Sequence, residues 1–300
     1  MKQFTSIDPR KINQKKQHEY LLSSVCPRPI CFASTVDKKG NVNLSPFSFF
    51  NVVSSNPPIL IFSPARRGTD NTQKHTLTNM LEVEEVVIHI IDYPMVEQMS
   101  LTSTPYEKDI NEFVKAGLTP LKSSLVRPPR VQEAPIAFEC KVKNVIALGD
   151  KPGAGNLVLA EVLMMHFHKN YLDQQGNLTL EKMEWVARMG GNWYAKITRE
   201  ELFEIPKPNS KIGIGVDQLP ISTQKSRVLS GNNLGRLGNK SRKPKQSEID
   251  QLKNTKAIKT IVATFHGEKR IEQLHALAKK ELERNNEGKA LRLVFLAEQL

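Results

Sequence analysis

Cysteine is scarce in this 300-residue chain: Cys26, Cys31 and Cys140 are the whole complement, with no C-x-x-C spacing. An odd count without paired spacing argues against a disulfide framework, and a reducing cytoplasm is the expected home. Long apolar runs are missing as well. None approaches the ~18 residues of a membrane span. The opening MKQFTSIDPRKINQKKQHEY is charged and has no apolar stretch, so a secretory signal is not expected there. Glycine patterns that cradle nucleotide phosphates are incomplete. Gly213-Ile214-Gly215 has Gln218 where a third glycine belongs, Gly153-Ala154-Gly155 fails likewise, and there is no G-x-x-x-x-G-K-[ST]. A Rossmann domain and a P-loop are therefore not expected. No nucleophile–base constellation stands out. His166 and His168 are two apart on a strand-like run and share a face, but zinc takes three or four ligands and no others follow at matching spacing. No metal is expected.

What remains is an ordinary balance of 25% charged and 39% hydrophobic residues, with a net charge of +12. The charge is uneven. Residues 1–206 carry 24 basic against 22 acidic side chains, and residues 207–300 carry 19 against 9. A boundary is placed near Pro206-Lys207-Pro208, where two prolines interrupt regular structure. That gives one domain over 1–206 and a basic extension over 207–300. Such a tail raises the question of nucleic acid. However, Ser226–Lys245 has little aromatic interleaving and the later charges alternate in sign along helices, as solvated faces do. Nucleic acid is not the expected partner.

The first domain reads as mainly β. Ile30–Val36 is a β-branched run, Asp37-Lys38-Lys39-Gly40-Asn41 is turn chemistry with Gly40 free to take positive φ, and Val42 and Leu44 resume the alternation. Further strands are expected at Ile59–Phe62, covered on both faces, and at Val86–Ile91, Ile136–Ile146 and Leu157–His168. His89, inside one of them, reads as a hydrogen-bonded interior histidine. Residues 94–117 read as helical pieces closed by Gly117. In the tail, Ser230–Lys240 reads as a glycine-rich loop. Two or three helices follow from Glu248 onward, with Ile271, Leu274, Leu277, Ala278 and Leu282 on one stripe.

Three stretches carry chemistry. Ser45-Pro46-Phe47-Ser48-Phe49-Phe50-Asn51 sets three phenylalanines among short polar side chains. They cannot all point one way from an extended segment, so at least one lines a flat ligand or an interface. Ser45, Ser48 and Asn51 supply the polar edge that an aromatic heterocycle requires. Ser63 to Thr76 has two arginines, short hydroxyl and amide side chains, and Lys74 in a helix's opening turn. These are the ingredients of a phosphate cradle. Trp185 to Tyr194 gathers both tryptophans, Arg188 and Gly190-Gly191, which suits stacking and close backbone approach.

PRPI, ST-V-D-x-x-G-x-x-N and SPFSFFN, followed in order by NPPILIFSP, KHTLTN, NEFVKAGLTP, VRPPRVQEAPIAFEC and ARMGGNWY, closely resemble the flavin reductase-like family over roughly residues 20–200. The resemblance implies an FMN-binding split β-barrel, antiparallel and Greek-key, with peripheral helices and a helical C-terminal extension. It also implies a homodimer with the flavin near the interface, and the extension is expected to lie against the barrel or its dimer mate. The pyrimidine edge of FMN falls to Ser45, Pro46, Phe47, Ser48 and Asn51. Ser34, Thr35 and Val36 support the ribityl or phosphate end, and Ser63, Arg67, Lys74 and Thr76 surround the phosphate. Arg188, Gly190 and Tyr194 lie near the flavin and the dimer contact. The family commonly has Asp where this chain has His75, so no role carries over to that residue. NAD(P)H is the implied hydride donor. Free flavin, a partner oxygenase or another carrier is the implied acceptor, and no side chain has a catalytic role of its own. A flavin-bearing electron carrier without NAD(P)H activity fits the same residues.

Overall fold

The structure, a computed structural model, describes residues 3–205 and 211–300. The chain divides into two units, Met1–Phe203 and Glu204–Leu300. The prolines at 206–208 lie outside the described residues.

In the first unit, β1 (Cys31–Val36), β2 (Val42–Phe47), β3 (Phe50–Ser55), β4 (Pro58–Phe62) and β5 (Glu85–Ile90) precede two-residue strands β6 (Pro120–Leu121) and β7 (Arg130–Val131). Long β8 (Ile136–Ala147) and β9 (Asn156–Phe167) follow. Seven of these form one antiparallel sheet in the order β2-β1-β5-β8-β9-β4-β3. That order dictates the shape. β2 and β3 stand at opposite ends of the sheet, yet only Ser48 and Phe49 join them. Three Cα steps reach about 11 Å at most, so the two edges must meet and the sheet must curl. Register shifts in the β8–β9 pairing, between Glu139 and Cys140 and between Val142 and Asn144, supply bend where the longest strands need it. β2 and β3 are not paired with each other, so the barrel closes around an open seam. This is the split barrel expected from sequence.

Strand alternation sorts the core into two. Cys31, Ala33 and Phe47 pack with Leu60, Phe62 and Ile88 on one face, while Phe32 and Leu44 pack with Met95, Met99 and Phe113 on the other. Helices α1 (Gln14–Ser24), α2 (His75–Glu82), α3 (Val96–Leu101) and α4 (Glu112–Ala116), with a hairpin of β10 (Trp185–Arg188) and β11 (Tyr194–Ile197), complete the unit. β4 is less covered than its apolar run suggests: Leu60 and Phe62 are buried, and Ile59 and Ile61 only half so. α1 buries no residue outright, and its Tyr20 and Leu21 are exposed.

His89 is fully buried. Its Nδ1 lies 2.8 Å from Phe32 O, and its Nε2 accepts the Val131 N–H at 2.9 Å. Nδ1 therefore carries the single proton, and a second has no acceptor. Burial lowers its pKa to about 4. The sign follows: below the unfolded value of 6.5 the unfolded chain binds the extra proton. Stability is thus lost as pH falls from 6.5 toward 4, about 2 kcal/mol of it by pH 5. His89→Gln should flatten this part of the urea-midpoint profile. A profile equally steep in the variant would reject the assignment.

The second unit is helical: α5 (Ile221–Gln224), α6 (Gly231–Gly238), α7 (Gln246–Lys253), α8 (Lys256–Thr264), α9 (Gly267–Glu283) and α10 (Glu287–Gln299). Four of these, α7 to α10, cover the stretch from Glu248 onward where two or three helices are expected, and the glycine-rich stretch read as a loop is α6. Ser230 caps that helix reciprocally with Asn233, and Leu237 is buried in a core with Ile258, Leu274, Leu293 and Leu296. Buried Leu237, partly buried Leu234 and a capping box outweigh the glycine penalty. The Gly213-Ile214-Gly215 run has a packing role: Gly215 N–H donates to Gly238 O at 2.9 Å, and a Cβ on Gly238 would sit 3.0 Å from Gly215 backbone. No described helix is long and apolar enough to cross a membrane.

Candidate functional site

β2 is the floor of the site. Beside its end and the seam lies a cavity of about 160 Å³ lined by Ile30, Pro46, Phe47, Ser48, Met99, Ser100, Ser103, Arg188 and Tyr194. A cleft further back along the strand is lined by Asn43, Ser45, Arg67, Lys74, His75, Thr76, Glu112 and the Thr102–Tyr106 segment. Ser103 belongs to both walls, so the two adjoin along β2 from Asn43 to Ser48 and together make the candidate groove. At ~3.3 Å per residue this is roughly 17 Å long, a reach suited to a fused ring carrying a short phosphorylated chain.

The cleft end is cationic. In the loop before α2 the two arginines divide their work. Arg66 is committed to the backbone and side chain of Asn71, at 2.6 and 2.7 Å. Arg67 donates to Thr72 Oγ1 and Gln73 O through one terminal nitrogen and also lines the cleft. Lys74 is the N-cap of α2 and makes no side-chain capping bond. Burial and then the Arg67 charge hold the Lys74 ammonium below its ordinary pKa. His75 is lowered too, by burial and then by Arg67 and Lys108. Positive groups crowded together at a helix start, with free N–H groups aimed out, form a cradle for a dianion. Thr76 completes it: Asn43 Nδ2 donates to its Oγ1 at 2.8 Å, leaving the hydroxyl proton for a ligand oxygen.

The seam end is built around Arg28, which is buried. Its guanidinium donates to Leu22 O and Val25 O at the end of α1, to Met189 O at 2.8 Å, and at 3.4 Å to Ser48 Oγ. Its backbone exchanges 2.9 Å bonds with Arg188 in both directions. Burial and then the Arg188 charge lower its pKa. Ser48 is thereby supplied with a donor, and its own proton is directed to an acceptor such as a pyrimidine carbonyl or ring nitrogen. Arg188 lies 4.5 Å from the Tyr194 ring centroid, giving a planar cationic wall opposite Phe47. Gly190 reaches neither cavity. A Cβ there would collide with Ser23 of α1, so its smallness seats the turn that carries Tyr194.

Of the residues singled out from sequence, the groove gathers Ser45, Pro46, Phe47, Ser48, Arg67, Lys74, Thr76, Arg188 and Tyr194. Ser34, Thr35 and Val36 are buried in β1 and line neither cavity. Neighbours on a strand face opposite ways. Thr35 accepts from Asn79 Nδ2 of α2 at 3.2 Å, while Ser34 shares the face of Phe32 and Leu44, its hydroxyl buried without a partner. Asn51 is exposed and bonds its neighbour's N–H. Ser63, also buried and unpartnered at Oγ, sits against Gly155. The rest of the lining, which no motif in the sequence marks, includes Met99, Ser100, Thr102, Ser103, Thr104, Tyr106 and Glu112. The hydroxyl run Ser100-Leu101-Thr102-Ser103-Thr104 was the available signal.

Residues 22–183 match the family model described as flavin reductase like domain. The chain belongs to the flavin reductase-like family. That match ends before the helical second unit begins. An uncharacterised protein of Aquifex aeolicus is 38% identical over 179 residues, covering 60% of this chain and 89% of its own. Among solved structures, nitrilotriacetate monooxygenase component B of Bacillus cereus is 32% identical with a TM-score of 0.64, over 68% of this chain and all of its own. The 2-nitrobenzoate 2-nitroreductase of Pseudomonas fluorescens is 25% identical with a TM-score of 0.60, over 68% and 97%. The family is a flavin-binding one.

Proposed function

We propose that this chain binds FMN and is an oxidoreductase taking hydride from NAD(P)H and passing electrons to free flavin, a partner oxygenase or another acceptor. Bound FMN supplies the redox chemistry, and the protein supplies binding, orientation and exclusion of water. The observation that carries the reading is the candidate groove along β2, cationic at Arg67 and Lys74 and apolar with hydroxyl donors at Phe47 and Ser48. Lys74, Arg67 and the Thr76 hydroxyl hold the phosphate. Ser48, fixed by Arg28, addresses an acceptor on the ring, and Phe47 and Tyr194 bound the ring's surroundings. The lack of a dinucleotide fingerprint accords with a nicotinamide that stacks in this groove. The Bacillus cereus neighbour is one component of a monooxygenase, which favours an oxygenase as acceptor here. A homodimer is part of the reading, since β3 exposes Val52 and Val53 and β9 exposes Leu163, Met164 and Met165, apolar area that a second copy would cover.

Anaerobic titration of the FMN-loaded protein with NADH and with NADPH tests the proposal. Bleaching of the flavin band by either nucleotide is expected. Bleaching by dithionite alone would favour an electron carrier over a reductase. A colourless protein that takes up no FMN at micromolar concentration would overturn both.

A further inference from the structure

The cleft above β2 contains one group at odds with its charge. Glu112, the first residue of α4, is buried and lines the same wall system as Arg67, Lys74 and His75. Among the described residues its carboxylate has one hydrogen-bond partner, the Leu44 N–H, which reaches Oε2 at 3.0 Å. β2 pairs with β1 on its other side, so this N–H points out from the open edge of the strand and Glu112 covers it. Burial raises the Glu112 pKa against the opposing effect of that N–H and of its own backbone N–H. The cleft is therefore polarised along its length: a cluster of positive groups at α2, then the neutral Asn43–Thr76 pair, then a carboxyl group with acceptor capacity to spare.

A bare phosphate satisfies the first part of this arrangement and gains nothing from the last. A phosphate ester with hydroxyls along its chain satisfies both. We propose that Glu112 is a specificity-determining residue that accepts a hydroxyl of the ligand's polyol chain, so that the cleft selects a phosphorylated polyol over phosphate alone or over an alkyl phosphate. The proposal deepens the FMN reading by naming which group reads the ribityl chain, and it rests on that reading for the identity of the full ligand. Sites built to bond a hydroxyl discriminate strongly against analogues lacking it, because the buried acceptor is then left unpaired. Negative charge at Glu112 also disfavours an anion that fills the cleft without bringing a hydroxyl to it.

The test uses the full chain stripped of flavin and titrated calorimetrically with ribitol 5-phosphate, n-pentyl phosphate and inorganic phosphate. The native protein is expected to bind ribitol 5-phosphate at least about 10-fold more tightly than either of the others. Glu112→Gln keeps an acceptor for Leu44 and removes the charge. It should weaken ribitol 5-phosphate by about 10-fold and strengthen inorganic phosphate by a few-fold. Equal binding of pentyl and ribitol phosphates by the native protein would overturn the proposal without any variant having to fold. So would parallel changes for all three ligands in the variant. Failure of the flavin reading shows separately, as native protein that distinguishes these phosphates but does not take up FMN.

Discussion

Arg28→Ala is expected to lower stability by about 3 kcal/mol, read as a urea midpoint shift of roughly 1 M. Among the described residues the native guanidinium has no carboxylate hydrogen-bonded to it. Its charge is held by the carbonyls of Leu22, Val25 and Met189, and the first two lie where the dipole of α1 is negative. Truncation leaves three carbonyls short of a donor, at about 1 kcal/mol each, and empties the space filled by the stem. Arg28→Met, which refills that space, isolates the polar share. Arg28→Lys offers too few donors in the wrong plane and should recover only part. The same change should loosen FMN, because Ser48 and the turn after Arg188 both lose their anchor. Should Arg28→Ala unfold within 1 kcal/mol of the native chain, the view of Arg28 as the tie between α1, the β10–β11 hairpin and the seam fails.

Lys74→Met should weaken FMN by about 10- to 100-fold, the worth of a charge-assisted phosphate contact, and leave riboflavin nearly unaffected. The ligand-free chain should not suffer. Lys74 is lowered first by burial and then by Arg67. Its folded pKa therefore lies below its unfolded one, so the unfolded chain binds more protons and the charged lysine works against folding at neutral pH. Removing it should leave the ligand-free midpoint equal or higher, the usual bargain at a functional site. A phosphate seated beside Lys74 restores its proton affinity. Native FMN affinity should thus decline with rising pH before 10.5 is reached, and Lys74→Met should lose that decline. Riboflavin weakened as much as FMN would place the phosphate elsewhere.

The strands were legible because alternation and turn chemistry are local. Asp37–Asn41 closes the β1–β2 hairpin as its residues dictate, and His89 lies inside β5 with both ring nitrogens engaged. The pieces that line the floor and cationic end of the candidate groove are marked in the sequence for the same reason, since Ser45–Ser48 and Lys74–Thr76 are short and contiguous. The facing wall is not. Ser100 to Thr104 and Glu112 meet β2 only through tertiary packing, and in sequence they look like ordinary helix ends. Ser34 shows what the pleat adds to a motif. It lies in a matching motif beside Thr35, yet the pleat turns it to the opposite face of the sheet. Helix α6 was missed because glycine content outweighed the Ser230–Asn233 cap and the leucine spacing.

The seam between β2 and β3 has an energetic corollary. A closed barrel spends every rung of its ladder on itself, whereas this one keeps an edge at Leu44 tended by a side chain and leaves the Ser48–Phe49 link without a neighbouring strand. Whatever settles there acts as a keystone, and each tenfold excess of free occupant over its dissociation constant adds about 1.4 kcal/mol to the folded state. Heat resistance should accordingly track how full the groove is, making the empty chain the softer of two otherwise identical scaffolds.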